Sequence, residues 1–142
     1  MLKQACPRGF FLLEMVITIS VISVLVVSPL LYLPKLIDKV QCQQVCFQAY
    51  QMISLARFSA MALNEDVLIK AQDNILTLSY KDILYKSLSA PVYFVFSING
   101  SNKQAGFKAS GHSKFARTIT ITSKYHSRAI SIGIDKGKIT LK

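Results

Sequence analysis

Among the residues able to do chemistry, one carboxylate is out of place. Glu14 sits near the start of a run from Phe10 to Leu33 that is otherwise apolar apart from a few hydroxyls. An acid in a membrane-spanning helix costs about 2.5–3.5 kcal/mol when it is central, so something has to compensate for it. The plain alternative is a tolerated interfacial acid near a helix N-terminus, where the dipole favours negative charge. The other reactive types give less. Cys42 and Cys46 lie four residues apart, on one face of a helix, with Cβ vectors too parallel for a disulfide. They read as small apolar core residues. There is no Cys-x-x-Cys or Cys/His cluster, so no metal is expected, and there is no glycine-rich phosphate loop. His112 and His126 are the only histidines. Both read as exposed polar residues in basic, loop-like surroundings, with no serine or carboxylate placed beside them in a recognisable constellation, so neither catalysis nor a cofactor is expected.

A second candidate chemistry is electrostatic. The 142 residues carry 17 Lys and Arg against 7 Asp and Glu, a formal charge of +10. From Ser101 onward Lys103, Lys108, Lys114, Arg117, Lys124, Arg128, Lys136, Lys138 and Lys142 face Asp135 alone. Lys103, Lys108, Lys114, Arg117, Lys124 and Arg128 are the candidate contacts for a polyanion such as DNA, teichoic acid or lipid headgroups. A solvated face that confers solubility is the alternative. Tyr80, Tyr85, Tyr93 and Tyr125 could offer stacking faces to bases, although strand packing is the commoner role.

The elements that position these groups divide the chain in four. Residues 1–9 are short and polar, with Lys3 and Arg8. Residues 10–33 would form a helix of about 36 Å, enough for a hydrocarbon core of about 30 Å. The run is too long for a cleaved secretory signal and lacks a small-x-small site after it. The basic flank places the N-terminus in the cytoplasm and the rest outside. Pro29 and Pro34 predict a kink or local unwinding. Residues 34–63 are the amphipathic half of the same helix, with Cys42, Cys46, Ala49, Ile53, Ala56, Ala60 and Leu63 forming a narrow stripe at spacings of three and four.

Residues 64–142 switch to a period of two. Val67–Lys70 and Ile75–Tyr80 flank a turn at Ala71-Gln72-Asp73-Asn74. Val92–Ile98 reads as a strong strand after Pro91, and a short one is expected near Ala105–Lys108. Ile119 and Ile121 alternate with threonines. Ile130, Ile132 and Ile134 alternate with Ser131 and Gly133, and Lys138–Leu141 alternates again. The fold class is α+β: a long N-terminal helix, half membrane-spanning and half amphipathic, packed on a small antiparallel β-sheet with one wet face.

The run Arg8-Gly9-Phe10-Phe11-Leu12-Leu13-Glu14-Met15 resembles the type IV prepilin and pseudopilin signature. The resemblance implies cleavage between Gly9 and Phe10 by a prepilin peptidase, loss of the basic leader, and methylation of the new amine at Phe10. Gly9 leaves the bond unhindered for an enzyme that takes it extended. Lys3 and Arg8 hold it at the cytoplasmic face. The carboxylate of Glu14 is then expected to meet the Phe10 amine of a neighbouring subunit, a pairing whose value is register rather than net stability. The pilin architecture matches the organisation of most of the chain.

The C-terminal block is similar to the competence minor pilins of the ComGD group in Gram-positive bacteria. It runs from Gly106-Phe107 through Ala116-Arg117-Thr118-Ile119 to Gly137-Lys138-Ile139. The implied role is a minor pilin of a type IV-like competence pilus that supports DNA uptake. Its implied partners are the peptidase, other pilins, the membrane, DNA and, indirectly, an assembly ATPase and a polytopic platform protein. Two alternatives stay open: a pseudopilin of a type II secretion system, and a surface module that binds DNA through a basic sheet.

Overall fold

The computed structural model describes residues 8–81, 83–100, 102–134 and 137–142. One helix, α1, runs Arg8–Leu63, with Pro29 and Pro34 inside it. The chain divides into two units, residues 1–37 and Asp38–Lys142. In the first, every described side chain from Phe11 to Ile37 is exposed, including Leu12, Val16, Val24 and Leu25. Its hydroxyls are satisfied locally. Ser20, Ser23 and Ser28 each donate to the carbonyl four residues back, and Thr18 donates to Met15 O at 2.9 Å. Such bonds hide the polar atoms and leave an apolar exterior. The helix is long and apolar enough to cross a membrane, and it fits a single-pass anchor.

In the second unit the helix buries the predicted stripe. Cys42, Cys46, Ala49, Ile53, Ala56 and Ala60 are at most 2 % exposed, joined by Val45 and Met52. Leu63, expected on the same stripe, is exposed instead, because the helix ends there. Asn64 takes φ 52°, its N–H donates to Met61 O, and Glu65 N–H donates to Ala60 O at 3.2 Å. This left-handed close satisfies two of the last carbonyls and turns the chain away.

The sheet is two sheets. β1 (Val67–Gln72), β2 (Ile75–Tyr80), β3 (Ile83–Ser89), β5 (Gln104–Phe107) and β6 (Ser113–Phe115) form one, in the order β3-β2-β1-β5-β6. β4 (Val95–Ile98), β7 (Arg117–Thr122), β8 (Ser127–Ile132) and β9 (Ile139–Leu141) form the other, in the order β4-β7-β8-β9. Every pairing is antiparallel. The two meet at β4, where Phe96 N–H donates to Asp73 O at 2.8 Å. Alternation holds where one face meets the core: Val67 and Ile69, Leu76 and Leu78, Phe94, Phe96 and Ile98, Ile119 and Ile121, Ile130 and Ile132 are all buried.

Several boundaries differ from expectation. The first hairpin is tighter, with Gln72 paired to Ile75 and only Asp73-Asn74 in the turn. Val92 and Tyr93 are not in a strand. They form a turn after Pro91, closed by Phe94 N–H donating to Pro91 O at 2.9 Å, which leaves Val92 90 % exposed. β3 and β6 were not anticipated. Ile134 lies beyond β8 and is exposed, so the isoleucine alternation outlasts the strand by one step. Gly106 explains the close approach of β5 to β1, since a Cβ there would lie 2.7 Å from Val67 O.

Candidate assembly segment, basic residues and a buried carboxylate

Lys3 lies outside the described residues. Arg8, Gly9 and Phe10 occupy the start of α1, so the Gly9–Phe10 bond is helical rather than extended. A peptidase that requires an extended bond would have to unwind this first turn, the part of a helix that opens at least cost. Glu14 is exposed on the helix, and among the described residues its carboxylate has no partner. An unpaired acid in an apolar setting of this kind is costly in lipid.

The six candidate polyanion contacts do not form one sheet face. Lys103 follows β4 in a loop, with φ 45°, and Lys108 lies just after β5; both are exposed. Lys114, in β6, is committed to Asp66 at 2.7 Å, and this lysine holds the Asp66 carboxyl below its usual range against the opposing effect of burial. Arg117 and Arg128 share strand parity with the core isoleucines Ile119, Ile121, Ile130 and Ile132. They therefore project from the core-facing side of β7 and β8, at opposite ends. The Arg117 guanidinium lies against Gly100, and its Nε is buried without a hydrogen-bond partner. Arg128 lines a cleft of about 280 Å³ with Gln43, Cys46, Phe47 and Leu141. Lys124, in the β7–β8 turn, stands 5.2 Å from the Tyr125 ring centroid. The wet face of β7 and β8 carries Thr118, Thr120, Thr122, Ser127 and Ser131 instead of cations.

The cluster that the sequence did not disclose surrounds Asp38. Its side chain, on α1, is 7 % exposed, and it accepts from the Ser123 hydroxyl (2.7 Å), His126 Nδ1 (2.9 Å) and Tyr125 N–H (3.3 Å). Burial pushes the Asp38 carboxyl up, but these hydrogen bonds outweigh it and hold the pKa below the ordinary value. The expectation that His126 has no carboxylate beside it is thus corrected: the β7–β8 turn delivers it to Asp38. Serine, histidine and aspartate meet here, yet in the wrong order for nucleophilic catalysis. The Ser123 hydroxyl bonds the carboxylate rather than an imidazole nitrogen, so no base is aimed at it. The arrangement ties α1 to the β7–β8 turn.

Cys42 and Cys46 are free and buried, and burial raises both thiols, which makes them poor nucleophiles. Among the described residues no three His, Cys, Asp or Glu side chains converge as metal ligands would.

No family model and no curated sequence matches the chain. Solved structures do. The type IV minor pilin FimU of Pseudomonas aeruginosa superposes with a TM-score of 0.59 at 17% identity, over 70% of this chain and 91% of that one. The minor pseudopilin EpsH from the Type 2 Secretion System of Vibrio cholerae superposes with a TM-score of 0.55 at 14% identity, over 74% of this chain and 95% of that one. A long N-terminal helix carrying antiparallel sheets is thus shared at a level where sequence similarity has faded. The chain has the fold of the minor pilins and minor pseudopilins.

Proposed function

We propose that the chain is a minor pilin of a type IV-like competence pilus, a non-enzymatic subunit that supports DNA uptake. The observation that carries this reading is the Gly9-Phe10 and Glu14 signature at the head of an exposed apolar helix. That helix belongs to a chain with the minor-pilin fold. In this reading a prepilin peptidase cuts after Gly9 and the Phe10 amine is methylated. Residues 10–33 then anchor the subunit in the membrane, N-terminus inward, until assembly carries residues 64–142 to the cell surface. Glu14 pairs with the Phe10 amine of the next subunit, which satisfies two groups that would each be costly in lipid. Other pilins are direct partners, and the assembly ATPase and platform protein act through them. The competence assignment rests on the likeness of the C-terminal block to the ComGD group.

A type II secretion pseudopilin would use the same signature, and the likeness to EpsH fits such a subunit in fold. Direct DNA capture by a basic sheet is less favoured, because Arg117 and Arg128 project from the core-facing side and Lys114 is paired. The test combines two substitutions. Gly9→Val is expected to leave full-length precursor on an immunoblot. Glu14→Ala is expected to be cut normally but to be lost from sheared filaments. Mature-size product from Gly9→Val, or normal incorporation of Glu14→Ala, would overturn the reading.

A further inference from the structure

Two turns leave the second unit at one end. Val95 pairs with Thr122, so the turn before β4 (Pro91–Phe94) and the turn after β7 (Ser123–His126) continue from the same pair of neighbours. Both are bonded to α1 within one helical turn. Ser123 and His126 reach Asp38 at 2.7 and 2.9 Å, and the Tyr93 hydroxyl donates to Gln41 Oε1. Each turn is also closed on itself, by Phe94 N–H donating to Pro91 O and Ser123 N–H donating to His126 O. These held turns nevertheless present apolar and aromatic groups outward. Val92 is 90 % exposed, and the Tyr93 and Tyr125 residues are close to half exposed.

The charges around them are mostly positive. Lys39 and Lys124 are exposed and make no ion pair among the described residues. Asp38 is buried and committed to its three donors. Asp73, whose carbonyl accepts from Phe96 N–H, is the exposed acid among these elements. An aliphatic tip, two amphipathic phenol rings and two long-stemmed cations are the groups that a membrane–water interface accommodates together.

Chain length puts that end beside such an interface. Asp38 follows Leu33, the last residue of the apolar run, by five residues, which is at most about 18 Å of chain whatever its path. The headgroup layer itself extends about 5–7 Å beyond the hydrocarbon. We infer that this end of the second unit is a membrane-docking surface, which rests on the headgroups of an anionic bilayer. Val92 and the rings of Tyr93 and Tyr125 enter the interface, while Lys39 and Lys124 lie over lipid phosphates. The inference rests on reading residues 10–33 as a membrane anchor, and it holds for a pilin or a secretion pseudopilin alike. Docking keeps the unassembled subunit against the bilayer until assembly lifts it away.

The chain has no tryptophan, so a single introduced one reports its own depth. Val92→Trp, Ile83→Trp and Val24→Trp are made in the full chain and reconstituted at high dilution in vesicles of phosphatidylcholine and phosphatidylglycerol. A nitroxide quencher is carried on the headgroup in one set and deep in the acyl chains in another. Ile83 is the control because it is exposed at the opposite end, paired with Tyr80 and near the Lys81–Glu65 ion pair that follows the close of α1. From Gln41 to Leu63 the helix rises about 33 Å. Val24→Trp is expected to be quenched from the acyl chains, Val92→Trp from the headgroups, and Ile83→Trp from neither. In the Val92→Trp chain, Lys124→Gln should lower the ratio of docked to undocked molecules about fivefold, and Lys39→Gln with Lys124→Gln about twenty-five-fold. Neither change should alter quenching in vesicles of phosphatidylcholine alone. A Val92→Trp signal that headgroup nitroxides do not quench, while Val24→Trp is quenched, would overturn the docking surface and leave the anchor standing. Emission that is blue-shifted yet unquenched would do the same and assign the cover to protein. Equal quenching of Val92→Trp and Ile83→Trp, or indifference to the lysine substitutions, would also refute it. An unquenched Val24→Trp would remove the anchor and the docking surface together.

Discussion

Replacing Asp38 with alanine removes the carboxylate that ties α1 to the β7–β8 turn. Three donors then lose their acceptor: the Ser123 hydroxyl at 2.7 Å, His126 Nδ1 at 2.9 Å and Tyr125 N–H at 3.3 Å. Hydrogen bonds to a charged group contribute about 1.5–3 kcal/mol each, which would overstate the sum here. The third bond is long. The Ser123 hydroxyl has the His126 carbonyl within 2.9 Å as a second acceptor, and the imidazole is 36 % exposed and can find water. A net loss of about 2–4 kcal/mol remains, a large share of the 5–15 kcal/mol typical of a domain. Because the folded pKa of Asp38 lies below its ordinary value of 3.8, this stabilisation is fully present above about pH 4 and fades as pH falls through the folded value. The difference between variant and parent should therefore be larger near neutral pH than in acid, where the ionised form of Asp38 is lost. Urea denaturation in detergent micelles, followed by tyrosine emission, reads the right unit. The chain has no tryptophan, and five of its six tyrosines (Tyr50, Tyr80, Tyr85, Tyr93 and Tyr125) lie beyond Asp38, with Tyr32 alone before it. A variant within about 0.5 kcal/mol of the parent at neutral pH would refute the argument.

The contrasting acid is Asp66, whose pair with Lys114 is 43 % exposed on the carboxylate side; Asp66→Ala should cost no more than about 1 kcal/mol in the same assay. Ile53 is fully buried at the middle of the helix stripe, so Ile53→Ala should cost about 2–5 kcal/mol, through lost burial and the cavity left behind. If the chain retains DNA in a low-salt gel shift, Lys108→Ala and Lys124→Ala should weaken retention and flatten its salt dependence. Lys114→Ala should do so less, since that lysine is already paired.

The helix was legible because its code is local. Spacings of three and four marked Cys42, Cys46, Ala49, Ile53, Ala56 and Ala60, and a helix repeats that geometry whatever it packs against. Ile119, Ile121, Ile130 and Ile132 were legible for the same reason at a period of two. β3 was not, because as an edge strand its Ile-Leu-Tyr-Lys-Ser-Leu-Ser sequence packs only Leu88 against the core, too little to impose alternation. Val92 and Tyr93 favour strands by propensity, but Pro91 starts a turn and the propensity is overridden.

The Asp38 cluster was hidden by distance. Ser123, Tyr125 and His126 lie 85 to 88 positions beyond Asp38, and they meet it only because β7 and β8 place their turn beside α1. The six cations were read from composition, which cannot tell a wet strand face from a core-facing one. Parity with buried isoleucines settles that for Arg117 and Arg128.

The central claim is that the chain is cut after Gly9 so that the helix can assemble from Phe10. Intact mass and N-terminal sequencing of the chain purified from its own cell membranes test this most directly. The account predicts a mature chain that begins at Phe10 with a methylated amine, and its conversion back to precursor when the prepilin peptidase is removed. A chain that keeps Met1 to Gly9 in peptidase-competent cells, or one cut at another bond, would contradict it.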